Sequence, residues 1–240
     1  MRGMMTRREL LAALEGVEGW LGDEEAWGLH RSAATLPGTA PATVVEVGSW
    51  KGRSTIALAT GIGARPGKGV VIAVDPHQGS AAHKAYEEGD TFAEFESNLR
   101  RAGVADLVTS VRATSTAARE RVADRSVDLL FVDGSHELED VLADIDAWEP
   151  ALRPGATVAF HDSISFPGVA GALRARALVR GSAFRHPRRI QETMTFEYRP
   201  GLRWRPSDSL RALTMRANVA GKRALRRLKS RLQRSRVSDR

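Results

Sequence analysis

Four carboxylates, Glu46, Asp75, Asp133 and Asp162, each lie at the end of an apolar, largely β-branched run. Two histidines accompany them: His136 falls three residues after Asp133, and His161 immediately precedes Asp162. A carboxylate at a strand's carboxyl end can accept hydrogen bonds from a pair of hydroxyls or face a cationic centre, and ligands of open α/β sheets bind beyond those ends. An imidazole titrates near neutrality and can take a proton from a hydroxyl as its oxygen attacks. Four strand-end acids on one sheet edge would converge on one crevice.

The first of these acids belongs to the stretch Val44-Val45-Glu46-Val47-Gly48-Ser49-Trp50-Lys51-Gly52-Arg53-Ser54-Thr55. Its first half reads as a buried strand and its second as a glycine-bearing turn entering a helix. Such a turn aims backbone N–H groups and the positive helix end at a bound ligand. Gly48 and Gly52 would let the backbone approach that ligand closely. The spacing is Glu-x-Gly-x-x-x-Gly, and Trp50 stands where the dinucleotide fingerprint wants its middle glycine.

The elements that must position these residues follow from periodicity. Strands are expected over 43–47, 70–75, 107–111, 127–133 and 156–160, with helices over 54–60, 92–102, 114–122, 138–148 and 169–179. A loop is expected over 61–69, a polar stretch that could close as a lid over 76–91, a turn at Pro154-Gly155, and an antiparallel strand pair within 184–198. The alternation predicts an α/β fold with a parallel sheet and right-handed crossovers. Ahead of it, Thr6 and Glu9 fit a capping box, and Leu10, Leu14, Val17, Trp20 and Leu21 follow at helical spacing. Trp20 and Trp27 either line a pocket or dock this leading region on the domain. We expect three regions: a helical extension over 1–36, the main domain over 37–201, and a basic tail over 202–240.

The chain's 240 residues suit one domain with additions. It has no cysteine, which excludes disulfides and thiolate metal sites. Residues 1–9 lead into no apolar run and nothing approaches membrane-spanning length, so the cytoplasm is the expected compartment. The net charge of +7 is unevenly placed: residues 202–240 hold thirteen Lys or Arg and two Asp, a net of +11, leaving −4 for the remainder. A basic, leucine-bearing tail can be a solvated extension or can lie on an anionic surface. Aromatic interleaving for base stacking is limited to Trp204, so nucleic acid is not an expected partner.

Residues 46–54 resemble the first motif of the class I S-adenosylmethionine-dependent methyltransferases of the catechol O-methyltransferase group, which also carry a bulky residue at the middle position. A closer likeness is to the macrocin and mycinamicin O-methyltransferases, which act on macrolide sugars. It rests on Phe131-Val132-Asp133-Gly134-Ser135-His136, Asp140-Val141, Asp144, Trp148, Pro150, Leu152, Pro154-Gly155 and His161-Asp162, and covers about 43–163. The resemblance implies a Rossmann-like sheet of seven mostly parallel strands, the last antiparallel, with helices on both faces. It also implies S-adenosylmethionine as cofactor and a small-molecule acceptor, such as a sugar or natural-product hydroxyl; homo-oligomers are compatible with it.

By the same resemblance, Gly48 and Gly52 pass beneath the methionine part of the cofactor, Ser54 holds its carboxylate, Asp75 takes the ribose hydroxyls, and Thr114 and Ser115 meet the adenine. Glu46, Ser49, Trp50 and Asp133 complete the expected cofactor-binding set. His136 would be the general base, the competing reading being a cap on the following helix. A magnesium ion would be held by Asp133, His161 and Asp162, although His161 stands where those families have an acid. A nitrogen donor suits manganese or iron better than magnesium. The competing reading has Asp133 and Asp162 hydrogen-bonding loops. Two other functions stay open: a cephalosporin hydroxylase-like metal protein on the same fold, and a nucleic-acid- or membrane-associated module acting through the tail.

Overall fold

A computed structural model describes residues 5–78, 89–202 and 214. The expected lid over 76–91 lies largely outside the described residues, as do His83 and nearly all of the basic tail. Among the described residues no helix is long and apolar enough to cross a membrane.

The chain opens with α1 (Arg7–Ala13), and the Thr6/Glu9 capping box forms as the spacing predicts. The helix stops at Leu14, short of the apolar pattern that continues to Leu21, and Gly16 follows at φ 71°. Val17 and Leu21 nevertheless stay buried, now on a loop, before α2 (Asp23–Ala34). The alternation that follows is β1 (Ala42–Val47), α3 (Arg53–Ala64), β2 (Gly69–Val74), α4 (Phe92–Arg101), β3 (Val108–Val111), α5 (Ser115–Arg119) and β4 (Val127–Val132). Next come α6 (Leu138–Trp148), β5 (Leu152–Phe160), α7 (Pro167–Ala172) with a wider π turn after it, β6 (Phe184–Ile190) and β7 (Thr193–Tyr198).

The expected loop over 61–69 shortens to 65–68, and the expected turn at Pro154-Gly155 is absorbed into a strand. Helix α3 runs through Gly61 and Gly63, because α2 lies so close that a Cβ at Gly61 would sit 2.2 Å from the His30 carbonyl oxygen. Pro154-Gly155 is an irregularity inside β5, where the register against β4 shifts between Val127 and Leu129 and Gly155 adopts φ 94°.

The sheet order is β3-β2-β1-β4-β5-β7-β6. The strands β1 to β5 pair in parallel, and β7 runs antiparallel to both β5 and β6. Alternate residues feed two cores. Val45, Val47, Leu130, Val132 and Val158 pack under α5, α6 and α7, whereas Val44, Val71, Leu129, Phe131 and Ala159 pack under α1 to α4. Each fully buried side chain of this size contributes roughly 1.5–3 kcal/mol, so the sheet fixes the strand ends more firmly than any turn does. Strand β1 lies between β2 and β4, where the chain order reverses direction, and the crevice opens beyond this switch point.

Candidate active site

On the β2 side, the turn after β1 folds around one carboxylate. Asp75 Oδ2 accepts from the N–H groups of Ser49 (2.9 Å) and Trp50 (2.8 Å), and its Oδ1 accepts from His77 N–H (2.6 Å). Two of the N–H groups expected to face a ligand are thus satisfied within the chain. Gly48 is required by its φ of 86° and because a Cβ there would lie 2.2 Å from the Asp133 carbonyl oxygen. Gly52, at φ 90°, packs against the Phe95 ring on α4. Trp50 holds φ 40°, a conformation that costs a bulky residue energy and that the Asp75 contact helps to enforce.

A cavity of about 370 Å³ spreads from this turn across Asp75, Thr114, Ser115, Gly134 and Asp144. Thr114 caps α5 through its hydroxyl, and Ser115 Oγ accepts from Trp148 Nε1 at 2.8 Å. Burial pushes the Asp144 carboxyl up to about 6, partly opposed by a hydrogen bond from Ser115.

On the β4 and β5 side the groups hold one another. His136 Nε2 lies 3.0 Å from Asp162 Oδ2, without the alignment of a hydrogen bond, and its ring stacks on Phe166 at 3.9 Å. His161 Nδ1 lies 3.1 Å from Asp133 Oδ1 and 3.4 Å from Asp162 Oδ2, and its Nε2 lies 3.5 Å from Glu25 Oε1. Glu25 reaches in from α2, and it also accepts from Thr193 Oγ1 (2.7 Å) and Glu192 N–H (3.1 Å). Burial opposes charge on His161, but the hydrogen-bonded Asp133 carboxylate, with Asp162 and Glu25 close by, outweighs it and raises the ring's pKa far above that of an ordinary imidazole. Burial raises Asp133, an effect the His161 charge partly offsets. For Asp162, burial is outweighed by the His136 and His161 rings beside it, which hold its carboxyl well below the usual range.

A second cavity of about 270 Å³ opens over this cluster, with His136, His161, Asp162 and Phe166 on one side and Trp20 and Arg53 on the other. Gly48, Trp50, Asp133 and Gly134 line both cavities, so the two meet there.

The structure therefore gathers most of the residues singled out in the sequence. Asp75, Thr114 and Ser115 line the larger cavity; Ser49, Ser54, His136, His161 and Asp162 line the smaller. Glu46 and Gly52 line neither. Glu46 points into the α3 layer, where Thr55 Oγ1 donates to its Oε2 at 2.5 Å and its Oε1 has no partner among the described residues. Burial, reinforced by Asp133 and Asp75, pushes its carboxyl up to about 8.

Among the described residues, the ligand atoms that converge are those of Asp133, His136 and Asp162, all within 4.8 Å of one another. His161 does not join them. Its buried ring lies among three carboxylates, with Nδ1 hydrogen-bonded to Asp133 and Nε2 3.5 Å from Glu25 Oε1. Glu25, Asp144 and Phe166 were not singled out as site residues: Glu25 lies far from the motifs in sequence, Phe166 follows His161-Asp162 by four residues without a chemical signal of its own, and only the resemblance drew attention to Asp144.

Residues 45–163 match the family described as a methyltransferase domain. With this fold, the match places a class I S-adenosylmethionine-dependent methyltransferase domain over residues 45–163. An uncharacterized protein of Sinorhizobium fredii is 34% identical over 123 residues, 51% of this chain; the chain spans only 13% of that relative's length. Among solved structures, the O-methyltransferase NovP is 16% identical at a TM-score of 0.61, covering 74% of this chain and 81% of its own. TomG from Streptomyces achromogenes, an O-methyltransferase involved in tomaymycin synthesis and solved with S-adenosylmethionine, is 19% identical at 0.55, covering 82% and 92%. An O-methyltransferase from Bacillus cereus, solved with S-adenosylhomocysteine, is 19% identical at 0.52, covering 80% and 90%. At these identities the likeness shows the fold.

Proposed function

We propose that the protein methylates a hydroxyl of a small molecule, such as a sugar or other natural-product intermediate. The larger cavity takes S-adenosylmethionine and the smaller takes the acceptor. The observation that carries this reading is the junction of the two cavities at Gly48, Trp50, Asp133 and Gly134, with His136 on the acceptor side. Bound S-adenosylmethionine supplies an electrophilic methyl group whose departure leaves S-adenosylhomocysteine. The chain's residues bring the acceptor oxygen into line with that methyl, which is where positioning yields most of its rate. His136 takes the hydroxyl proton as the new C–O bond forms, and Asp162, 3.0 Å away, stabilises the resulting imidazolium. Phe166 stacks on one face of the ring and fixes its orientation.

Asp133 and Asp162 would hold a divalent ion, which would lower the pKa of the acceptor hydroxyl. The convergence of His136 with these acids, and the unaligned Nε2, favour a second reading in which His136 is the third ligand. Two oxygens and a nitrogen suit manganese or iron better than magnesium.

Calorimetric titration with S-adenosylhomocysteine, with and without Mg²⁺ or Mn²⁺, tests both readings. Micromolar binding is expected, and absence of binding under every condition would overturn the proposal. Tightening by Mn²⁺ that vanishes in His136→Gln would make His136 a ligand; no metal effect would leave it the base.

A further inference from the structure

Trp20 is a large apolar side chain left 60% exposed, and it sits at the mouth of the smaller cavity. It lies on the loop between α1 and α2, which has no regular structure of its own. A cluster of contacts from one short stretch, residues 50–53, holds that loop down. The Trp50 ring stacks on Trp20 with centroids 4.5 Å apart. Lys51, itself buried, pairs with Glu18 and with Glu94. Arg53, in the first turn of α3, donates to the carbonyl oxygens of Leu14 (3.2 Å), Val17 (3.1 Å) and Leu21 (2.9 Å), and pairs with Asp23 at 2.9 Å. The loop crosses the Arg53 stem so closely that a Cβ at Gly19 would lie 2.9 Å from its Cδ.

Resting on the two-cavity reading above, the geometry points to Arg53 as a positioning residue that fastens the acceptor wall to the cofactor turn, so that filling the cofactor site steadies Trp20 over the acceptor chamber. The physical reason lies in the chain's connectivity. Trp50 lines both cavities and its N–H is fixed by Asp75 in the cofactor site, while its ring touches Trp20. Three residues on, Arg53 donates to three carbonyls of that loop. A planar guanidinium reaches several acceptors in fixed directions, which an ammonium cannot reproduce. Cofactor contact on one side of the 48–53 turn therefore stiffens the loop on the other, and the acceptor meets a finished wall only after the cofactor is in place.

Amide hydrogen exchange of the full chain tests this, with S-adenosylhomocysteine as the probe and two variants, Arg53→Lys and Trp20→Phe. In the native protein, saturating S-adenosylhomocysteine is expected to slow exchange over 15–22 by about fivefold or more and to shift tryptophan emission. In Arg53→Lys, exchange over 15–22 is expected to rise about tenfold without ligand, and the ligand-induced slowing to disappear while binding persists. Trp20→Phe is expected to bind the probe and lose most of the emission shift. Unchanged exchange over 15–22 in a folded Arg53→Lys, or native exchange indifferent to a bound probe, would overturn the inference. If the native protein binds no S-adenosylhomocysteine, the cofactor reading fails instead, and the ligand-free comparison of native with Arg53→Lys still decides the clamp.

Discussion

The two sides of the crevice are built by different means. On the β2 side, Asp75 is held by backbone N–H groups of Ser49, Trp50 and His77. On the β5 side, Asp133, Asp162, His136, His161 and Glu25 are held chiefly by one another, in a buried cluster of opposing charges. The first arrangement is local and is set by the turn. The second gathers Asp133 and His136 from beyond β4, His161 and Asp162 from beyond β5 and Glu25 from α2, and it shifts the proton affinities of His161, Asp133 and Asp162. A partner lost on the first side should weaken binding; a partner lost on the second should change rate and pH behaviour.

The largest effect tests the second side. His136→Gln is expected to slow methyl transfer by about 10²- to 10⁴-fold while calorimetry finds S-adenosylhomocysteine affinity little changed. A variant that loses affinity in proportion to rate would erase the division of labour between the two sides.

Next is Glu46, which stands between them and belongs to neither cavity. Its folded pKa of about 8 lies above the ordinary value of 4.5. The stability this lends is complete below about pH 4.5 and is lost as pH rises through about 8. Thermal unfolding from pH 5 to 9 should therefore show the native protein losing a few kcal/mol that Glu46→Gln does not lose. Parallel curves would place the carboxyl in contact with water.

Asp75→Ala tests the first side. Losing the acceptor for three N–H groups is expected to weaken S-adenosylhomocysteine binding about 10- to 100-fold, read by calorimetry. Unaltered affinity would mean that the turn holds without its carboxylate. The smallest effect is expected from Thr114→Ala, which removes the cap of the short α5. A loss of about 1 kcal/mol in denaturant unfolding, with less than about a threefold change in affinity, would confine Thr114 to shaping the cavity.

Much of this was legible in the sequence because it is local. The β-branched runs ending in Glu46, Asp75 and Asp133 fix strands and their ends by period and propensity alone. The Gly48–Gly52 spacing fixes the turn, and Thr6 with Glu9 fixes a helix start. The alternation of those elements was enough for a parallel sheet with its crevice at the carboxyl ends. What tertiary structure decided is everything set by sequence-distant neighbours. Gly61 stays helical because α2 lies against it. Glu46 turns away from the crevice because strand alternation places it with Val44 on the α3 face. His161 is held between Asp133 on one side and Glu25, 136 positions earlier, on the other. Period and spacing determine where a side chain leaves the backbone. Which charges it meets there depends on which helices cover the sheet, and that becomes definite only when the chain has closed.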